Sequence, residues 1–167
     1  MTVTTPRLLL RPFRGEDVEQ LWEIQGNPEA MRFTWVAPSR EECARRLRTH
    51  EGLRAENGFA PWVAVLRGDR RVVGWGGLGI DPFEPGWGVE VSYFFHPAQW
   101  GRGLATELVA ASVRHGFDVL ALPAIGAFAR PENTASTRVL EKCGFRLLGW
   151  EPALARNHYE IARGGLG

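Results

Sequence analysis

The sequence predicts one α/β domain over residues 1–167, a mixed, twisted sheet with helices on both faces. Three observations predict it. Strand-like and helix-like runs follow in the order β, α, α, β, β, β, α, β, α, β, β, with no repeat and no linker between them. Residues 89–106 (VEVSYFFHPAQWGRGLAT) pass from an apolar, aromatic strand through a glycine turn into a helix. A hairpin signal near the middle of the chain and two closely spaced strands at its end add antiparallel pairs to that unit.

Composition narrows the class before any motif does. An apolar share of 44% and a charged share of 23% describe an ordinary globular chain long enough for a sizeable core. A formal charge of +1 argues against an electrostatic nucleic-acid or membrane binder. No segment approaches the roughly 20 apolar residues of a membrane span. The opening MTVTTPRLLLRPF lacks the apolar core and cleavage site of a signal peptide. Cys43 and Cys143 fall in predicted helices, with neither a disulfide framework nor metal-ligand spacing. A cytoplasmic protein without a metal is expected.

Each element has its own reason. Leu8, Leu9, Leu10 and Arg11 read as a strand stopped by Pro12. Val18, Leu21, Trp22 and Ile24 recur at helical spacing until Gly26-Asn27-Pro28. Met31, Phe33, Trp35 and Val36 form an apolar stretch that reads as core or as the lining of a cleft. Ser39 and Glu42 make a capping box for a helix over 40–57 that ends at Gly58. Its Arg45, Arg46, Arg48 and Arg54 read as a solvated face. Strands over 59–66 and 71–80 flank the hairpin residues Arg67-Gly68-Asp69-Arg70. Four glycines in the second (Gly74, Gly76, Gly77, Gly79) mark a close approach of backbone or ligand. The loop 81–88 carries Phe83 and Trp87, placed to gate a cleft. A short strand over 124–129, a helix from Asn133 to Cys143 stopped by Gly144, and strands over 145–150 and 157–161 complete the order before a glycine-rich tail.

The glycine turn carries chemistry. The first turn of a helix leaves backbone N–H groups without internal partners, and the helix dipole adds partial positive charge there. Gly101 and Gly103 let a ligand approach that backbone, and Arg102 adds a full charge. The result is a phosphate cradle, although the same letters can simply join a strand to a helix. It is neither a P-loop nor a dinucleotide fingerprint, since no Gly-Lys-Ser/Thr and no G-x-G-x-x-G is present there.

Trp100-Gly101-Arg102-Gly103-Leu104-Ala105 resembles the pyrophosphate loop Q/R-x-x-G-x-G/A of the GNAT acyltransferase superfamily, with Trp in the first position. With Ala105-Thr106-Glu107 it is similar to the RimJ/RimL branch. Asn133-x-x-Ser136-x-x-Val139-Leu140-Glu141-Lys142-x-Gly144-Phe145 resembles a second signature of that branch, almost position for position. Thr5-Pro6-Arg7-Leu8-Leu9-Leu10-Arg11-Pro12-Phe13-x-x-x-Asp17 resembles its opening. Together these cover essentially the whole chain in the family's order.

The resemblance implies a sheet splayed between two central parallel strands and an acetyl-CoA-dependent N-acetyltransferase working by direct transfer in a ternary complex. The acceptor it implies is an amine: a protein or peptide N-terminus, a metabolite or an aminoglycoside. A homodimer is compatible with it. Trp100 to Ala105 would hold the pyrophosphate, Asn133 and Ser136 the pantetheine arm, and backbone near Phe94 and Phe95 the thioester carbonyl. Asn133 reads independently as a helix cap. Glu90, the one charge on its strand, is the base candidate. Where many members carry a tyrosine acid, this chain has Leu140, so Ser136 is the preferred partner of the leaving thiolate and Tyr93 the reserve. His96 reads as structural, while His158, with Glu160 beyond it, is placed to reach the acceptor cleft. The alternative from another class is an acyl-CoA-binding sensor or scaffold that has kept the cradle and lost the chemistry.

Overall fold

The computed structural model describes residues 1–165; 166–167, at the end of the glycine-rich tail, lie outside the described residues. Eight strands form one sheet in the order β1-β2-β3-β4-β5-β6-β8-β7. They are β1 (Val3–Thr4), β2 (Leu8–Arg11), β3 (Trp62–Leu66), β4 (Val72–Gly79), β5 (Glu90–Phe95), β6 (Ala124–Ala129), β7 (Arg146–Glu151) and β8 (Arg156–Ala162). The helices are α1 (Val18–Gln25), α2 (Arg40–Asn57), α3 (Leu104–Arg114) and α4 (Thr134–Lys142). Every neighbouring pair is antiparallel except β5 with β6.

Strand alternation sorts the core into two layers. Leu8, Leu10, Trp62 and Ala64 join α3 residues Leu104, Leu108 and Val109 on one face. Leu9, Val63 and Val65 join Leu21 and Ile24 of α1 and Cys43 and Leu47 of α2 on the other. Successive side chains of a strand point to opposite faces, so β2 and β3, apolar on both, must be covered twice. Among the described residues no helix is long and apolar enough to cross a membrane.

Half of the predicted capping box is in place. Ser39 Oγ accepts from the Glu42 N–H at 3.2 Å, while the Glu42 carboxylate takes Arg45 instead of the Ser39 N–H, and α2 ends on Gly58 in the left-handed region. The helix α3 begins at Leu104, later than the glycine turn suggests. Gly101 (φ 75°) and Gly103 (φ 77°) are left-handed and therefore precede it. Sequence periodicity missed β1, whose two residues are too few to show alternation.

Two features of the centre shape the site. The parallel ladder of β5 and β6 has one residue pair, Glu90 with Gly126, secured by the Gly126 N–H to the Val89 carbonyl at 2.9 Å. Beyond it the strands diverge, leaving a wedge between them. The glycines of β4 admit protein rather than ligand. A Cβ at Gly74 would lie 2.6 Å from the Phe94 carbonyl, and one at Gly76 would lie 2.5 Å from that of Ser92. These positions let β4 and β5 pair closely beneath the aromatic side chains.

Candidate active site

Two cavities open at the wedge. The larger, about 540 Å³, runs from the glycine turn along α4. The smaller, about 200 Å³, lies on the side of α2 and the 81–88 loop. They share Phe33, Thr34, Tyr93, Phe94, Asn133 and Ser136. A ligand in one therefore ends where a ligand in the other begins.

A hydrogen-bonded pair stands at that junction. Tyr93 Oη lies 2.7 Å from Ser136 Oγ and also donates to the Ser136 carbonyl at 3.3 Å. Burial, only partly offset by the hydrogen bond with Ser136, pushes the phenol up to about 12. Tyr93 thus stays protonated throughout the neutral range. Asn133 caps α4, its side-chain carbonyl accepting from the Ser136 N–H at 3.2 Å, which leaves its amide group for other partners.

The turn that closes the larger cavity is held in place from far away in sequence. Glu107, in the first turn of α3, accepts from Thr5 Oγ1 at 2.5 Å, the Arg7 N–H at 2.7 Å and Arg7 Nε at 2.8 Å. Burial alone would raise its carboxyl, but those bonds from Thr5 and Arg7 outweigh it and hold the group low. Arg7 Nη1 then donates to the Arg102 carbonyl at 2.5 Å. A Cβ added at Gly103 would come within 3.4 Å of Arg7 Nη2. The Trp100 indole N–H donates to the Phe95 carbonyl at 3.0 Å, tying the turn to the end of β5. The first residues of α3, whose N–H groups have no partner inside the helix, line the cavity beside the turn, a placement suited to phosphate oxygens.

Of the predicted cradle, Trp100, Gly101, Gly103, Leu104 and Ala105 line this cavity, together with Phe94, Phe95, Asn133 and Ser136. The Arg102 side chain is not part of that lining; it donates to Gln99 Oε1 at 3.3 Å. Arg32, Arg138 and Lys142 supply the positive charge there instead. Lys142 is a named position of the second signature, Arg138 falls on one of its open positions, and Arg32 lies outside it.

Glu90 lines the smaller cavity, half-buried. Its carboxyl is raised to about 7, first by burial and then by Asp81, with Arg156 opposing and Glu84 adding. The apolar stretch before Pro38 serves both ends: Met31 is buried core that also borders the smaller cavity, Phe33 and Trp35 line cavities, and Val36 is exposed. Arg46 is not on a solvated face, since its guanidinium is sandwiched 4.0 Å from the Trp35 ring and 3.9 Å from that of Phe83. His50 packs edge-on to Trp75 at 5.0 Å and tilted to Phe83 at 5.6 Å, so the 81–88 loop does meet the cleft. His96 is structural, its Nδ1 accepting from the Ala98 N–H at 3.1 Å. His158 stacks on Phe128 at 4.5 Å beside Trp87, and neither it nor Glu160 joins the lining of either cavity.

Two cavities meet through a splayed sheet, one of them ending at a glycine turn and a helix start. Comparison with known proteins gives that arrangement a family. The model of the acetyltransferase (GNAT) domain matches residues 7–146, and the chain belongs to that family. It is an N-acetyltransferase by class. It is 29% identical over 148 residues to the uncharacterized N-acetyltransferase YoaA of Bacillus subtilis, covering 87% of this chain and 82% of the relative. It is 29% identical over 167 residues to the uncharacterized N-acetyltransferase p20 of Bacillus licheniformis, covering 99% and 90%. Among solved structures, Mycobacterium smegmatis RimJ in complex with CoA-disulfide superposes with a TM-score of 0.82 at 24% identity, over 99% of this chain and 89% of that one. The aminoglycoside acetyltransferase AAC(6')-Ib, in complex with ribostamycin and coenzyme A, superposes at 0.77 with 19% identity, over 95% of each chain.

Proposed function

We propose that the protein transfers an acetyl group from acetyl-CoA directly to a primary amine, the donor in the larger cavity and the amine in the smaller. One observation carries this reading: the cavities meet at the Tyr93–Ser136 pair, with Glu90 on the amine side. Acetyl-CoA supplies the acetyl group as a thioester with a good leaving thiolate. CoA-bound neighbours of the same fold support that donor, and the RimJ neighbour supports a RimJ/RimL-like branch.

The chain's own residues do the rest. The N–H groups of the turn and of the start of α3, from Gly101 to Ala105, hold the pyrophosphate, with Lys142 and Arg138 adding charge. The free amide of Asn133 holds the pantetheine arm. Strand alternation supports one donor for the thioester carbonyl. The His96 N–H is spent on the Val73 carbonyl of β4 at 2.8 Å, so Phe94, two residues earlier, also faces β4. Phe95 faces the wedge, as its carbonyl's bond to Trp100 attests, and its N–H is the donor. Glu90 accepts the proton of the incoming ammonium, being partly ionised near neutrality. Ser136, held by Tyr93, donates to the departing thiolate.

The competing reading, a sensor that binds acyl-CoA without turning it over, is separated by one experiment. Thiol release from acetyl-CoA is followed across a panel of peptide N-termini, metabolite amines and aminoglycosides. Amine-dependent release is expected; tight CoA binding with no release against any amine assigns the sensor.

A further inference from the structure

The cleft on the α2 side has two polar requirements that the protein leaves unmet. The first is Arg46. Its guanidinium carbon lies over both the Trp35 and the Phe83 rings, and the residue lines the smaller cavity. Among the described residues it takes part in none of the ion pairs, the longest of which is 3.8 Å. Nor does it make a side-chain hydrogen bond there, unlike its neighbour Arg45, which grips Glu42 at 2.8 Å. A half-buried fork of donors packed on two rings has little freedom left to lose on binding a planar two-oxygen anion.

The second is His50, one helical turn along the same face of α2. Its Nδ1 is closed off from solvent and has no partner. A buried polar atom without a hydrogen bond is costly and, beside a cavity, marks where a ligand supplies one. Burial also lowers the imidazole to about 4, with Asp81 opposing and Arg46 assisting, so His50 is neutral when the enzyme works.

The other charges of the cleft are Asp81, Glu84 and Glu90 on one side of the balance and Arg130 and Arg156 on the other. One oxygen of Asp81 is already occupied by the N–H groups of Phe83 and Glu84, at 2.8 and 3.3 Å. The carboxylates suit an ammonium. Burial lowers the Arg46 guanidinium, and Asp81 and Glu84 oppose that only from a distance, since none of the three carboxylates reaches it as an ion pair or hydrogen bond. A purely cationic acceptor would set a like charge beside it.

We propose that the acceptor is an amine that also bears a carboxylate, an amino acid or peptide-like acid, with Arg46 binding the carboxylate and His50 hydrogen-bonding beside it. This rests on the acetyl-transfer reading above and narrows its substrate class. A polycation such as an aminoglycoside is then a poor acceptor, in contrast to the AAC(6')-Ib neighbour.

The test uses matched acids and carboxamides: glycine, β-alanine, 4-aminobutyrate, L-α-amino acids and dipeptides, each against its amide. Acetyl-CoA consumption is measured with wild type, Arg46→Met, Arg46→Lys and His50→Phe. Wild type should favour the acid of at least one pair by about tenfold or more in kcat/KM, equivalent to about 1.4 kcal/mol. Arg46→Met should erase that preference while leaving the KM for acetyl-CoA unchanged, and Arg46→Lys should restore part of it. His50→Phe should raise the acceptor KM without lowering the melting temperature, because it removes an unmet polar atom and keeps the packing. Turnover confined to amines without a carboxylate, or an acid preference that survives Arg46→Met, overturns the proposal and leaves acetyl transfer standing. No acetyl-CoA consumption with any amine, here or in the wider panel, overturns both.

Discussion

Glu90 is the residue whose environment most alters its chemistry. Its carboxyl is raised from the ordinary 4.5 to about 7, so between those values the folded protein holds a proton that the unfolded chain has lost. Stability from this group is therefore greatest below about pH 4.5, falls as pH rises through about 7, and is level above. Glu90→Gln cannot ionise. It should melt at or above wild type near about pH 8, and the gap should close in acid, as calorimetry at several pH values will read. If Glu90 is the base, the same variant should lose about 100-fold in rate near neutrality and recover at high pH, where the amine deprotonates unaided. A rate ratio flat with pH would remove it from that role. At the other side of the junction, Ser136→Ala should lower kcat and leave the CoA dissociation constant near its wild-type value. Weaker binding with an intact rate would make Ser136 a binding residue instead.

At the scale of elements, the opening of the chain explains itself through what it touches. Arg11 and Asp17 form a buried, two-pronged ion pair at 2.9 and 2.7 Å, and Asp17 also accepts from the Arg14 N–H at 2.8 Å. Thr5 and Arg7 reach one hundred residues along the chain to Glu107. The three sequence signatures are thus partly one structure: the opening strand braces the turn that precedes α3. The turn itself was legible because its rules are local, a left-handed glycine pair and a helix start. The brace was not, since nothing in Arg7 or Glu107 alone names the partner. Arg7→Ala should weaken CoA binding about tenfold by calorimetry while kcat at saturation holds, and Arg7→Lys should recover little because it lacks the fork that serves Glu107 and the Arg102 carbonyl together. Unchanged affinity would show that the turn keeps its shape without the brace. Arg46 escaped the sequence for a similar reason: it lies on a helix with few apolar residues, and the rings that stack on it come from two separate loops.

Across the whole molecule, the splay of β5 from β6 is what the proposed direct transfer rests on. The strand sequence and its crossing helix made a mixed sheet legible, yet the wedge depends on a ladder that stops after one pair, which no residue pattern announces. Because both cavities open onto that wedge and share its lining, donor and amine can be held together, and the acetyl group need not pass through the protein. The thiols are also poor relays. Burial pushes Cys43 up to about 11, and its Sγ donates to Gln25 Oε1 at 3.1 Å beneath α1. Cys143 is likewise raised by burial, with Lys142 only partly opposing, and its Sγ lies 3.7 Å from the Thr106 carbonyl. A thiolate is the nucleophilic form, so neither cysteine is set up to accept an acetyl group near neutral pH. Initial rates with acetyl-CoA and a confirmed amine varied together should give intersecting reciprocal plots, and intact-mass analysis after acetyl-CoA alone should show unmodified protein. Parallel plots with a stoichiometric acetylated enzyme would mean that the shared wedge serves two half-reactions in turn instead of one ternary complex.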